Sequence, residues 1–162
     1  MSTIETNKRH LNIKAMWGVL CTMSSIDQKR NNISLFNVIT QLNMSGTDLD
    51  KVVPGKHKGI VMTSNHELIV MFRRLGVPGI ESAVLSADIK ISLVGPSGDV
   101  IREDLSTIKF EPNIQTHGHR ISYENFVVQS TGLYEYRVSV FEDNTTGFID
   151  LYTIPLSVER TN

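Results

Sequence analysis

The chain has 162 residues, of which 40% are hydrophobic and 20% are charged, and its formal net charge is −1. This composition is typical of a soluble globular protein and excludes a disordered chain. The near-neutral charge predicts no general attraction to nucleic acid or to an anionic membrane, and no stretch approaches the ~20 apolar residues of a membrane helix. The single cysteine, Cys21, excludes an intramolecular disulfide and every CxxC motif.

The N-terminal segment is polar and includes Glu5, Lys8 and Arg9. Because it lacks the apolar core of a secretory signal, we expect a cytoplasmic protein. We predict a flexible N-terminal tail over residues 1–12 and a single β-sandwich domain over residues 13–162.

Short apolar runs separated by turn residues follow this tail. Apolar or small residues occupy both faces of Ala15–Met23, which is typical of a strand that is covered on both sides. A second strand is predicted over Ile33–Leu42, because β-branched and aromatic residues suit a pleated surface, and we expect the two strands to form a hairpin. Asn43–Lys58 contains glycine and proline without periodicity and is predicted to be a loop.

The clearest alternation lies in the middle of the chain. Apolar and polar residues alternate strictly over Ala87–Leu93, as they do in a half-exposed antiparallel strand. A turn at Gly95–Asp99 leads into a partner strand over Val100–Phe110. Further strands are predicted over Ile60–Phe72 and Arg120–Gln129.

The last part of the chain repeats this alternation. Gly132–Val140 has Tyr134 and Tyr136 on its apolar face, and a loop of Asx and Gly residues joins it to Phe148–Glu159. Pro155 predicts a local edge or a bulge in that final strand. About eight strands without intervening helices predict an all-β fold, namely a two-layer antiparallel β-sandwich of immunoglobulin-like, C2-like or jelly-roll type.

Three segments share a sequence pattern with other proteins. Trp17–Cys21 is an apolar strand that ends in Cys, Asn32–Val38 is similar to the pattern Lys-Leu-Ser-Leu-x-Gly-Val-Phe, and Gly132–Val138 follows a Gly-Pro-Ser-Gly hairpin. Together they resemble a family of small bacterial proteins of unknown function. Thr22 stands where the family pattern has an acidic residue, and Asn37 where it has Gly. The resemblance implies a sandwich fold and transfers no activity or site.

The segment His117-Gly-His119 has a spacing that could hold a metal ion. In an extended segment the two imidazoles point to the same face, and Glu111 or Glu124 could add an oxygen ligand. Gly118 favours instead a pair of histidines in a solvent-exposed loop. A structural zinc ion requires four N or S ligands, and one cysteine together with these two histidines does not supply them. We therefore expect no bound metal and no other cofactor.

Other catalytic patterns are weak. The sequence contains neither a nucleophile elbow nor a phosphate-binding loop. Cys21 lies among apolar residues and is interpreted as a buried small hydrophobic residue rather than a nucleophile. The acid pairs Glu103–Asp104 and Glu142–Asp143 lie at strand or hairpin margins, where we expect solvated charges. We therefore predict that the protein is not an enzyme.

The aromatic residues of the last strands have two interpretations. Tyr134 and Tyr136 lie on an apolar face and are predicted to pack in the core. Phe141 and Tyr152 are freer to lie at the surface, where together they would form a ligand- or partner-binding patch.

These observations favour a non-catalytic β-sandwich domain that acts as a protein-interaction or structural module. We expect it to bind a protein partner or copies of itself, and neither nucleic acid nor membrane. The first alternative is a small-ligand or carbohydrate-binding module that uses the C-terminal aromatic residues. The second is a metal-dependent enzyme that uses His117 and His119.

Overall fold

In the computed structural model the chain forms two β-sheets that pack against each other around a shared core. The structure describes residues 11–27, 32–49, 60–76, 82–142 and 145–161. Within these ranges the elements are, in chain order, β1 (Ile13–Asp27), β2 (Asn32–Val38), β3 (Gln41–Ser45), α1 (Gly46–Leu49), β4 (Ile60–Arg74), β5 (Leu85–Val94), β6 (Val100–Phe110), β7 (Thr116–Val128), β8 (Gly132–Phe141) and β9 (Ile149–Thr161).

The two sheets contain four and five strands, in the orders β2-β1-β4-β7 and β3-β9-β8-β5-β6. Neighbouring strands are antiparallel except β3 and β9, which are parallel. The predicted all-β sandwich is therefore confirmed, as is the fold that the family resemblance implied, with nine strands in the described ranges rather than eight. No helix in the described ranges is long and apolar enough to cross a membrane.

The core lies between the sheets and is built from the alternating apolar residues of the strands. In β5, Ala87 and Ile89 begin the inward face that the sequence predicted, and Tyr134 and Tyr136 of β8 are buried with exposed fractions of 0% and 2%. Alternation places these side chains inward because successive residues of a strand point to opposite faces of its sheet.

The predicted second strand is in fact two strands in different sheets. β2 ends at Val38 and pairs with β1, whereas β3 begins at Gln41 and pairs with β9. Asn37, just before this crossing, has a φ of 50°, in the left-handed region that favours glycine. The prediction of one strand over Ile33–Leu42 is therefore wrong, and the loop prediction that began at Asn43 is also wrong for the residues of β3 and α1.

The part of the β1–β2 hairpin beyond Cys21 lies against the outer face of β4 and β7. In this part of the hairpin, the Ser24 hydroxyl of β1 donates a hydrogen bond to the Glu67 carboxylate of β4. Ile33 of β2 reaches β7, where its Cδ1 lies 3.2 Å from the position of a Cβ on Gly118. Cys21 is completely buried but lies outside the core cluster between the sheets. The prediction that the first strand is covered on both sides holds at Cys21 but is wrong at Met16 and Met23, which are 43% and 55% exposed.

Pro155 occupies a local edge within β9. It pairs with Glu135 of β8, but β3 pairs with β9 only from Ser157 onward. Proline has no backbone N–H to donate. On the β3 side of β9, none of the described strands pairs with position 155, so no hydrogen bond is lost there.

The start of β1 is held by a buried carboxylate. Glu142 accepts hydrogen bonds from the backbone N–H groups of Asn12 and Ile13, at 2.9 and 3.0 Å, and from the Asn12 side-chain amide at 2.9 Å. Glu142 is 3% exposed, so the prediction of a solvated acid pair is wrong for this residue, because these donors replace water. Asp143 and residues 1–10 of the predicted tail lie outside the described residues.

Candidate functional site

His117 and His119 lie within β7 rather than in an exposed loop. They pair with Phe72 and Val70 of β4, whose side chains belong to the core, so both imidazoles face inward. The two rings are stacked with their centroids 6.1 Å apart. The shared face agrees with the extended spacing of the sequence. The expected solvent-exposed loop is wrong, because β7 continues the sheet through this segment.

The histidine pair lies at the seam where β7 approaches β6. Ser106 Oγ is 2.9 Å from Nε2 of His119, and the Phe110 ring is 5.8 Å from that of His117. Burial lowers the pKa of both imidazoles, and the positive charge of His117 lowers the pKa of His119 further. Both rings are therefore neutral near pH 7, and they contribute packing and hydrogen bonds to the seam, His119 with Ser106 and His117 with the Lys109 backbone.

The histidine pair has no additional metal ligand in the described part of the chain. No group of three or more His, Cys, Asp or Glu side chains suited to a metal ion occurs there. Of the two carboxylates considered from the sequence, Glu111 pairs with Lys109 at 2.8 Å and Glu124 is exposed. Two imidazoles alone do not complete a structural or a catalytic zinc site.

Phe141 and Tyr152 lie on opposite faces of the five-stranded sheet. Tyr152 pairs with the buried Val138 and faces the core, where its Cδ1 lies 3.3 Å from the position of a Cβ on Gly18. Phe141 pairs with the exposed Asp88 and lies on the outer face. The structure therefore does not bring the two predicted surface aromatics together.

Phe141 instead belongs to an apolar groove on the outer face of the five-stranded sheet, which we call the phenylalanine groove. Phe148, from the segment before β9, lies against Phe141 with ring centroids 5.8 Å apart. The groove has a volume of about 470 Å³ and is lined by Asp88, Leu105, Ser106, Thr107, Phe141 and Phe148.

The apolar side chains of the groove are open to solvent. Leu105 of β6 is 72% exposed and Phe148 is 39% exposed, although both are large and hydrophobic. Sequence reasoning missed both residues. Leu105 could have been recognised from the sequence, because it is an apolar residue on the polar side of β6, whose other side faces the core.

A cationic side chain fixes one wall of the groove. Lys90 Nζ lies 4.9 Å from the centroid of the Phe148 ring and 3.5 Å from Oε1 of Glu103. A cation over an aromatic face is attracted by the ring quadrupole, so Lys90 holds Phe148 against the sheet. Glu103 balances the charge of Lys90.

Two carboxylates on the same outer face have no cationic partner among the described residues. The Thr107 hydroxyl donates a hydrogen bond to Asp88 at 2.7 Å, and the Ser139 hydroxyl donates one to Asp150 at 2.6 Å. Both donors are neutral, and Asp88 is one of the residues that line the groove.

A buried polar cluster around His66 was also missed by the sequence reasoning. Nδ1 of His66 lies 2.7 Å from the Ser64 carbonyl oxygen and Nε2 lies 2.9 Å from the Tyr136 hydroxyl, while the ring stacks on Tyr123 at 5.1 Å. Burial lowers the pKa of His66 and raises the pKa values of Tyr123 and Tyr136. All three groups are therefore neutral near pH 7, and the cluster connects the two sheets.

Cys21 is poorly suited to nucleophilic chemistry. Burial raises the pKa of its thiol, and the negative charge of Glu67 raises it further. Because the thiolate is the nucleophilic form, both effects disfavour reaction at this sulfur.

No family model matches the chain, and no curated protein matches it. Among solved structures, a family 123 glycoside hydrolase from Clostridium perfringens is 13% identical over 90% of this chain, with a TM-score of 0.38, and the chain spans only 27% of that hydrolase. The N-terminal domain of PorA is 8% identical, with a TM-score of 0.27, over 89% of this chain and 97% of the other. At these values neither similarity identifies a function.

Proposed function

We propose that the protein is a non-catalytic β-sandwich module that binds a protein partner through the phenylalanine groove. The observation that supports the proposal is the grouping of Leu105, Phe141 and Phe148 around a concavity of about 470 Å³ on a sheet face. Grouped exposed apolar side chains with a polar rim are typical of binding surfaces.

The rim of the groove indicates the chemistry of the partner. A large apolar side chain fits beside Leu105 and Phe148, where it would displace water from both. A lysine or arginine next to it would meet the charge of Asp88, whose hydrogen-bond donor is the neutral Thr107 hydroxyl. The proposed partner therefore presents a segment with an apolar anchor next to a basic residue.

Selection from a displayed library of random peptides tests this proposal. Peptides selected on the wild-type protein should lose binding to a Leu105→Glu variant and retain binding to an Ile114→Glu variant. Ile114 is a matched control because it is also an exposed apolar residue, at 49%, and does not line the groove. Equal binding to both variants would contradict the proposal, and so would a library that yields no peptide dependent on Leu105.

A carbohydrate ligand is the second candidate, and the aromatic pair favours it. The rings of Phe141 and Phe148 lie beside the polar pair of Asp88 and Thr107, which supplies hydrogen-bonding groups next to an apolar surface. A glycan array separates the candidates. A glycan whose binding is lost in a Phe148→Ala variant would replace the protein partner, whereas an array without such a glycan supports the first proposal.

A further inference from the structure

The phenylalanine groove and the histidine pair share one strand, β6. Leu105, Ser106 and Thr107 of this strand line the groove on the outer face of the five-stranded sheet. Because successive residues of a strand point to opposite faces, the side chain of Ser106 points inward, between two outward neighbours. Its hydroxyl lies there 2.9 Å from Nε2 of His119. A change in the position of Ser106 therefore affects the groove and the histidine pair together.

β6 is held by backbone pairing on one side only. It is the last strand of the five-stranded sheet in the described ranges and pairs with β5 alone. Its contacts with β7, across the seam, are made by side chains and include Phe110 with His117, Ser106 with His119, and Arg102 over the ring of Tyr123. The first two contain a histidine. The position of β6 relative to the four-stranded sheet therefore depends on the histidine pair.

The charged groups around the histidine pair already have partners. β4 faces the pair with the apolar side chains of Val70 and Phe72. The titratable and charged side chains that face the core from the surrounding strands are Arg74 with the Ala83 carbonyl, Arg102 with Asp104 and the ring of Tyr123, Glu142 with the Asn12 and Ile13 amides, and His66 with Tyr136. Lys109 and Glu111 pair with each other on the outer face of β6. Among the described residues, a positive charge on the pair therefore meets no carboxylate that lacks a partner.

Protonation of the pair acts on Ser106 in two ways. The ring centroids of His117 and His119 are 6.1 Å apart, so two imidazolium ions would repel each other in a partly buried site that water screens weakly. A protonated imidazole has two donors and no acceptor, so the Ser106 hydroxyl can then only accept from His119, and its own hydrogen must turn elsewhere. Both effects loosen the seam at the residue that lies between Leu105 and Thr107.

We infer that acidification weakens binding in the phenylalanine groove, because positive charges on His117 and His119 push β6 away from β7 and displace the β6 wall of the groove. The inference rests on the proposed function, since it concerns the regulation of the same groove. His119 is a positioning residue, which acts on the ligand through Ser106. Coupling between two sites is reciprocal, so a ligand that holds β6 in place also disfavours protonation of the pair.

Peptide affinity at two pH values tests this regulation. The probe is a peptide from the library selection with blocked ends and with lysine and arginine as its only titratable side chains, because histidine is the side chain that ordinarily titrates between about pH 7.5 and about pH 5.5. The wild-type protein should bind it about fivefold more weakly at the lower pH, at the lower end of usual couplings between sites, and a His119→Gln variant should lose less than about twofold.

His57→Gln is the matched control for the loss of a histidine. His57 precedes β4, whose first residue pairs with Val128 at the other end of β7 from the histidine pair. This variant should show the same dependence on pH as the wild type, and circular dichroism at the lower pH establishes that each protein is folded. An affinity of the wild type that does not change with pH, or an equal loss in the His119→Gln variant, would overturn the inference.

Amide hydrogen exchange in the free protein separates a failure of this inference from a failure of the proposed function. The measured quantity is the protection factor of the β6 amides that bond to β5, relative to that of the β8 amides. It should fall about fivefold from about pH 7.5 to about pH 5.5 in the wild type and change little in the His119→Gln variant. An unchanged ratio would overturn the inference even if peptides bind the groove. A fall in the ratio without any peptide dependent on Leu105 would refute the proposed function and support the coupling between the histidine pair and β6.

Discussion

The buried carboxylate of Glu142 should determine how firmly β1 is attached to the sandwich. Its Oε1 accepts the backbone N–H groups of Asn12 and Ile13, and its Oε2 accepts the Asn12 side-chain amide. Thr145 fixes the turn that carries it, since its hydroxyl donates to the Glu142 carbonyl at 2.8 Å and accepts the Glu142 N–H. We predict that Glu142→Ala strongly destabilises the fold.

The size of the effect follows from the donors that lose their acceptor. A hydrogen bond to a charged group contributes about 1.5–3 kcal/mol, and a buried donor left without a partner costs about 1–3 kcal/mol. With two backbone donors affected in the Glu142→Ala variant, we expect a loss of about 3–5 kcal/mol, out of a typical stability of about 5–15 kcal/mol. Glu142→Gln keeps one carbonyl oxygen for the backbone N–H groups and should cost about 1–2 kcal/mol.

Urea denaturation followed by circular dichroism measures these differences. The midpoint should fall in the order wild type, Glu142→Gln, Glu142→Ala, with an unchanged dependence on urea. Glu111→Ala is the control, because the Glu111 side chain is 59% exposed and its ion pair with Lys109 should contribute less than about 1 kcal/mol. A Glu142→Ala variant as stable as the control would refute the reasoning, as would a Gln variant no more stable than the Ala variant.

Two further predictions concern the buried histidines and a close contact between the sheets. Burial lowers the folded-state pKa values of His66, His117 and His119 from 6.5. Below that pH the unfolded chain therefore binds more protons than the folded chain. Stability should fall on acidification from about pH 7 to about pH 5.5, by up to about 1.4 kcal/mol per pH unit for each ring. Urea midpoints across this pH range measure how steeply stability depends on pH, and a His119→Gln variant should show a weaker dependence. A stability that is constant or rises on acidification would contradict the prediction. Gly18→Ala should destabilise by about 1–3 kcal/mol, because the new Cβ would lie 2.7 Å from Cδ1 of Ile154. Adding Ile154→Val removes that carbon and should restore part of the loss in thermal denaturation, whereas an unchanged melting temperature for Gly18→Ala would refute the close contact.

Alternation was sufficient to predict most strands but not the crossing between sheets. The inward faces of β5 and β8 follow from a period of two residues, which is a local property of the chain. The break between Val38 and Gln41 depends on the left-handed backbone of Asn37 and on which sheet each half joins. Asparagine tolerates that conformation without requiring it, so an asparagine in the sequence does not predict the crossing.

The surface residues were harder to predict, because exposure depends on strand pairing. The common face of His117 and His119 followed from their spacing, but its burial depends on β4 and β6, which are distant in sequence. Phe141 and Tyr152 were judged by their local surroundings. Only the pairing of β8 with its two neighbours shows that one faces outward and the other faces the core.

Mapping of a selected peptide by NMR tests the proposed binding surface most directly. On addition of a peptide from the library selection, the backbone amide signals of Asp88, Leu105, Phe141 and Phe148 should change most. Signals of the β2 strand, which belongs to the other sheet, should change little. The largest changes at any surface other than the phenylalanine groove would contradict the proposal that this groove is where the protein binds its partner.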